Sequence, residues 1–203
     1  VTVEAAYREH IRSVCGEPAE DELLECFRVL DELTISMGDH ALGLGFPIRD
    51  IAVRHWIAAN EFSEEFAEDR RQWKRAIEHA RRARESATRG HEYLDHQIGR
   101  LEFGIIFMDL VETLKAAGRA NKAKERGAVV PLLEEAVELA RRVVAIHAGI
   151  ARDGTDLGVL AQVNEDLYRK LGRLLEEVRS GRHWTLPSQL GEYEVPSGWR
   201  YRG

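Results

Sequence analysis

Residues 101–114 read LEFGIIFMDLVETL, and this stretch decides the fold of the 203-residue chain. As a helix it is apolar around most of its circumference, so other elements must cover it on nearly every side. No proline lies between residues 48 and 130, which suits long helices because proline removes a backbone donor and clashes inside a helix. We therefore predict a helix over residues 91–120 as the most buried element of the molecule.

Apolar residues at helical spacing continue on both sides of this helix. They predict a helix over residues 64–87 before it, and two more that begin near Pro131 and after Asp153-Gly154. Short loops between long helices favour antiparallel neighbours. The prediction is an all-α fold, an up-down bundle of about four long helices preceded by two or three shorter ones. The shorter helices are predicted over residues 3–14, 19–37 and 48–56, with Gly16 and Pro18 between the first two.

The last long helix carries apolar residues at alternating spacings of four and three, which is typical of a coiled-coil seam. One polar residue within this seam, Asn164, is interpreted as fixing the register of the packing. The predicted seam is Leu157, Ala161, Asn164, Tyr168, Leu171, Leu175 and Val178.

Two breaks in the helical pattern organise the chain. The first is residues 38–47, GDHALGLGFP, with three glycines and a proline; the second begins after residue 180, where prolines, glycines and four aromatic residues follow. We predict one helical domain over residues 1–180, with short helices and the Gly-rich crossing in 1–60 and the bundle in 61–180. The tail, 181–203, is predicted to be irregular and to pack on the bundle or on a partner, because such aromatic surface is rarely left in water.

Charge and composition exclude several classes of protein. The net charge is 29 − 35 = −6, which argues against a nucleic-acid binder because such a protein needs a basic surface. No apolar run reaches the roughly 20 residues that span a bilayer, so no membrane partner is expected. The two cysteines lie on apolar helical faces and predict buried free thiols. With no basic-then-apolar leader, the chain fits a cytoplasmic protein and leaves a secreted domain open.

Three acids recur every seven residues along the central helix and so share one face. They are Asp95, Glu102 and Asp109, called here the acid stripe. One interpretation is a solvated stripe on an otherwise buried helix. The other is a line of carboxylates that pair with arginines of a neighbouring helix or line a cleft. A catalytic carboxylate pair must flank its substrate at a set separation, which a stripe on one helix does not supply.

The histidine pattern does not predict a metal site. His91 and His96 are five residues apart, which splays their side chains, whereas metal ligands on one helix need a spacing of three or four. No Glu-x-x-His occurs on the long helices. The phosphate-binding glycine loop and the motifs of serine hydrolases and zinc proteases are also missing from the sequence. We therefore predict no metal, no cofactor and no catalytic residue in this chain.

A family resemblance rests on three stretches: AYREHIRSVCGEPAEDELLECFRVLDELT, HEYLDHQIGRLEFGIIFMDLVETLKAA and IARDGTDLGVLAQVNEDLYRKL. Together they resemble the helical C-terminal region of large carbohydrate-active enzymes, in which a catalytic (β/α)-barrel precedes it. The resemblance covers most of residues 3–178, and its motif is Asp156, Gly158, Ala161 and Asn164. It implies a region that buttresses the barrel, edges the substrate cleft or contributes to a dimer. The catalytic carboxylates of that family come from the barrel, and this chain shows no alternating strand–helix pattern that would build one.

The first functional hypothesis is a non-catalytic accessory domain of a glycoside hydrolase. It would support the catalytic barrel domain, bind a partner chain or form a homodimer. Aromatic residues outside the helical seams are the expected anchors of that interface, since buried aromatics dominate such contacts. The interface candidates are Phe46, Trp56, Trp184, Tyr193, Trp199 and Tyr201.

Two alternatives remain open. One is a free-standing small-molecule-binding bundle, which would need a pocket between helices. The other is an enzyme that uses the acid stripe, which would need a further ionisable group facing those acids across a cleft. The pocket of the first alternative is predicted to be lined by Trp73, His79, Tyr93 and Phe103.

Overall fold

A computed structural model describes residues 2–39 and 64–181. Secondary structure in these ranges is helical and includes no strand, so the predicted all-α fold is confirmed. The crossing from residue 40, the predicted helix 48–56 and the tail from residue 182 lie outside the described residues. The α-helices described are α1 Val3–Val14, α2 Glu20–Asp39, α3 Glu64–Ser86, α4 His91–Lys122, α5 Arg126–Ile150, α6 Gly154–Val163 and α7 Arg169–Arg179.

The corner between α1 and α2 forms where the sequence predicts a stop and a start. Thr2 caps α1, since its hydroxyl accepts a hydrogen bond from the Ala5 amide at 3.2 Å. Gly16 follows α1 with a φ of 93°, in the left-handed region that glycine enters without steric cost. Pro18 then lies in a short 3₁₀ turn, Glu17–Ala19, that leads into α2.

Helix α5 starts earlier than predicted. It begins at Arg126 and contains Pro131, the residue near which the sequence predicts its start. Burial of Val129, which is 3% exposed, stabilises the additional turn. The proline leaves one backbone carbonyl, that of Gly127, without its helical donor. Gly127 is exposed, so water can reach that carbonyl and the helix tolerates the proline.

Helices α6 and α7 are joined by a π-helical turn, Asn164–Tyr168, into one continuous rod. A π turn takes an extra residue and therefore rotates the apolar face of the helix. The predicted seam is wrong at its N-terminal end, where Leu157 is 59% exposed and Ala161 is also exposed. The buried residues of the rod are Val163, Leu167, Leu171, Leu174 and Leu175.

The core consists of two hydrophobic clusters, and α4 contributes to both. The first joins α1, α2 and α3 to one side of α4, including Leu101 and Met108. The second joins α5, α6 and α7 to α4 through residues such as Leu110 and Leu114. Every residue of α4 from 101 to 121 is buried or half-buried. This confirms the prediction that the central helix is the most buried one.

Consecutive helices pack on one another: α2 on α3, α3 on α4, α4 on α5, and α5 on α7. Short turns connect the long helices, as predicted for an up-down arrangement. Among the described helices, α3 and α5 lie on α4 without comparable packing on each other. An opening over α4 is therefore bounded by α3 and α5. No helix within residues 2–39 and 64–181 has the length and apolar character needed to cross a bilayer.

Candidate binding groove

The acid stripe of α4 faces α3, and each of its carboxylates meets an arginine there. The two helices run antiparallel, so arginines later in α3 meet acids earlier in α4. This arrangement corresponds to the interpretation of the stripe as carboxylates paired with arginines of a neighbouring helix. The pairs are Arg84–Asp95 at 2.7 Å, Arg81–Glu102 at 2.7 Å and Arg70–Asp109 at 3.0 Å, and Arg70 also contacts Glu112.

Pairing with Arg84 favours the ionised form of Asp95. The hydrogen bond from Arg84 lowers the pKa of Asp95 below its usual value. A general acid or base works best when its pKa lies near the operating pH, so Asp95 is poorly placed for proton transfer at neutral pH. The three pairs link α3 to α4 along their contact, and each carboxylate of the stripe has a cationic partner.

The cations of α3 that face α4 form a stripe of their own. Arg70, Lys74, Arg81 and Arg84 occur with Ile77 at spacings of four, three, four and three, so they share one helical face. The three arginines have acid partners on α4. Lys74 is exposed and forms no ion pair with any residue of the described ranges. It is the one position of this stripe at which a cation lacks an acid.

A groove lies at that position, between α3 and α5 and above α4. Its volume is about 460 Å³. Four isoleucines line it, Ile77 from α3, Ile105 and Ile106 from α4, and Ile146 from α5. The lining also has charged residues, which are Lys74, Glu78 and Arg81 from α3, Glu102 from α4 and Arg142 from α5. We call this feature the isoleucine groove.

Arg142 brings a second cation to the isoleucine groove. It is exposed and, in the part of the chain that is described, forms no ion pair. Glu138, one helical turn earlier, forms its ion pair with the neighbouring Arg141 at 2.7 Å, and Arg142 adds a weaker attraction that also lowers the pKa of Glu138. Lys74 therefore lines the groove from α3 and Arg142 lines it from α5, together with the four isoleucines.

The four residues expected to line a ligand pocket are divided between different surroundings. Trp73 and Tyr93 pack in the first hydrophobic cluster, whereas Phe103 packs with the second. The Nδ1 atom of His79 lies 2.7 Å from Glu22 on α2. Helical periodicity shows which side chains turn inward but not which of two clusters they join, and a pocket lined by these four residues stays a prediction.

The sequence also failed to single out several buried polar side chains. Lys115 is 2% exposed, and it follows Leu94, Leu101 and Met108 at the same interval of seven. That interval was the available signal for its burial. Desolvation, with a smaller effect from Arg119, lowers the pKa of Lys115. His147 is 4% exposed and its Nε2 donates to the Asp156 carbonyl at 3.0 Å.

The thiols and the possible metal ligands provide no second site in the described residues. Cys15 and Cys26 are buried and unbridged, which confirms the predicted free thiols. Burial raises the pKa of Cys26 to about 12, so its reactive thiolate form is scarce at neutral pH. Within residues 2–39 and 64–181, no group of three or more His, Cys, Asp and Glu side chains is arranged to hold a metal ion.

The predicted interface residues lie outside the described ranges. They are Phe46, Trp56, Trp184, Tyr193, Trp199 and Tyr201.

The chain matches no family model, no curated protein sequence and no solved structure. Nothing in these comparisons links it to a glycoside hydrolase, and that resemblance stays a prediction.

Proposed function

We propose that this helical array is a binding module whose ligand site is the isoleucine groove. The observation that carries the proposal is that one groove is lined by Lys74 and Arg142, two cations that form no ion pair in the described residues, and by four isoleucines. Ligand sites combine apolar walls with a few placed polar groups in this way. The volume of about 460 Å³ falls in the usual range for small-molecule sites.

The contrast with the rest of the α3–α4 contact supports this assignment. Elsewhere along that contact, each arginine that faces α4 is engaged by a carboxylate, as between Arg84 and Asp95. At the groove, α4 presents Ile105 and Ile106 beside Lys74. Ile77 and Ile106 are already buried, whereas Ile105 and Ile146 are half-buried, so the apolar surface that a ligand would cover comes mainly from the second pair.

The other functions have less support. An enzyme built on the acid stripe would need those carboxylates available, yet arginines engage all three of them. The accessory role beside a glycoside-hydrolase barrel rests on interface candidates that lie outside the described residues. It stays a prediction, and so do the homodimer and the partner chain.

The proposal can be tested on the full 203-residue chain by mapping amide chemical shifts during titration with a panel of small apolar and amphipathic molecules. Binding should shift the amides of groove residues on α3, α4 and α5 together. Filling the groove with Ile146→Trp should weaken binding by roughly tenfold. The matched control is Leu157→Trp, which adds the same side chain at an exposed position of α6. If no member of the panel shifts the groove amides, or if both variants behave alike, the groove is not the ligand site.

A further inference from the structure

We infer that the isoleucine groove takes an amphipathic monocarboxylate, with the carboxylate between Lys74 and Arg142 and an aliphatic chain on the isoleucines. This rests on the proposed function, that the groove is a ligand site. The charge of the ligand follows from the charged residues that line the groove, and its apolar chain follows from the isoleucines.

The charged residues that line the groove indicate the sign of the ligand's charge. The groove is lined by three cations, Lys74, Arg81 and Arg142, and by two acids, Glu78 and Glu102, so 3 − 2 = +1. Arg81 and Glu102 engage each other at 2.7 Å. The chain as a whole carries −6. A locally positive groove on an acidic protein favours an anion over a neutral or cationic ligand.

Lys74 is the cation of the α3–α4 contact that has no carboxylate paired with it in the described residues. Lys74 occupies a regular position of a cationic stripe whose arginines all meet carboxylates. The lining contributed by α4 is Ile105, Ile106 and Glu102, and Glu102 is already engaged by Arg81. A carboxylate supplied by a ligand would complete this series, and from the α5 wall Arg142 offers a guanidinium, whose forked donors match a carboxylate.

The net charge of the groove lining favours a monocarboxylate. Within the lining, once Arg81 and Glu102 are set aside as a pair, Lys74 and Arg142 stand against Glu78 alone, which leaves one positive charge. Glu138 lies outside the lining and attracts Arg142 more weakly than it does its ion-pair partner Arg141. A single carboxylate neutralises that charge, whereas a dianionic phosphate would leave an excess negative charge beside Glu78. The four isoleucines offer no hydrogen-bonding side chains, so the remainder of the ligand is apolar.

The experiment compares four ligands of equal chain length on the full chain, by amide shift mapping and calorimetry. Octanoate carries the carboxylate, octanol is neutral, octylamine is cationic and octyl phosphate is dianionic. Octanoate is expected to bind most tightly and to shift the groove amides. Lys74→Gln and Arg142→Gln should each weaken octanoate binding by roughly fivefold, a modest factor because both side chains are exposed. Neither substitution removes an ion pair of the described residues, so both variants should fold.

Arg75→Gln is the matched control, since Arg75 is an exposed arginine of α3 that is absent from the groove lining. It should leave octanoate affinity unchanged, and octanol affinity should respond little to any of the three substitutions. If octanol binds in the groove as tightly as octanoate, the proposed function stands and the carboxylate inference fails. If octyl phosphate binds more tightly than octanoate, the choice of a monoanion is overturned. If none of the ligands shifts the groove amides, both proposals fail.

Discussion

The packing of Trp73 of α3 against α4 depends on a single glycine, Gly104. The indole of Trp73, which is 7% exposed, lies over Gly104, where a Cβ atom would collide with the six-membered part of its ring system. Glycine is unfavourable in a helix interior because of its backbone freedom. Here it permits a large aromatic side chain to lie directly against the α4 backbone. The indole Nε1 finds no hydrogen-bond acceptor among the described residues, so this contact depends on packing.

We expect Gly104→Ala to lower the free energy of unfolding by about 1–3 kcal/mol, because the added methyl group displaces the Trp73 ring. Gly172→Ala is the matched control, since Gly172 is also helical and no atom lies within 4 Å of its ideal Cβ position. That substitution should raise stability by about 0.5–1 kcal/mol through helix propensity. Urea unfolding of both variants measures the difference. A stabilising effect at both positions would show that Trp73 yields without cost.

At the scale of the element, the rod formed by α6 and α7 depends on how it starts. Asp153 is the N-cap, and its Oδ1 accepts hydrogen bonds from the amides of Thr155 at 2.8 Å and Asp156 at 3.0 Å. These amides are among the first donors of a helix, which have no partner within the helix itself. Asp156 in turn accepts a hydrogen bond from the Arg152 amide at 2.8 Å, which ties the turn to the helix.

Asp153→Ala should therefore destabilise the protein by about 1 kcal/mol, the usual cost of losing an N-cap side chain. Asp153→Asn keeps the accepting oxygen and should cost only a few tenths of a kcal/mol. Hydrogen exchange of the amides of Thr155 and Asp156, together with urea unfolding, reports the effect. Equal losses in the two variants would mean that the charge of Asp153, and not its capping geometry, stabilises the rod.

At the scale of the whole molecule, ion pairs link each helix to its neighbour, α1 to α2 and α3 to α4. The buried Glu20 accepts hydrogen bonds from Arg12 and from Arg8, and these contacts lower its pKa below the ordinary value of 4.5. Arg84 likewise lowers the pKa of Asp95 below 3.8. When a folded-state pKa is depressed, the unfolded chain takes up protons first as the pH falls. The stabilisation by such groups is present above the unfolded pKa and is lost as the pH falls through the folded one.

We expect the free energy of unfolding to decrease as the pH is lowered from about 5 towards 2, with most of the change below about pH 4.5. Urea unfolding over a series of pH values measures this slope. In Asp95→Asn the slope should be shallower, because one of the groups with a depressed pKa no longer titrates. A stability that stays constant or rises on acidification would show that these pairs contribute little to the folded state.

Local patterns in the sequence determined the helices and the most buried one among them. The apolar circumference of residues 101–114, the absence of proline from 48 to 130 and the stop at Gly16 are properties of neighbouring residues. Helix formation depends on such neighbours, so these predictions are confirmed by α4 and by the corner before α2. The start of α5 was less predictable from the sequence. Burial of Val129 against distant residues extends the helix on the N-terminal side of Pro131, where the sequence predicts its start.

Only the tertiary structure decided which side chains meet. The acid stripe was visible in the sequence, but its arginine partners depend on the register of α3 against α4, which the turn between them and the packing of Trp73 set together. The same register leaves Lys74 opposite isoleucines, and the π turn at Asn164 places Leu157 in water. Register is a non-local quantity, since a shift along one helix changes every contact across it. The isoleucine groove, built from three helices, therefore became visible only when they were packed.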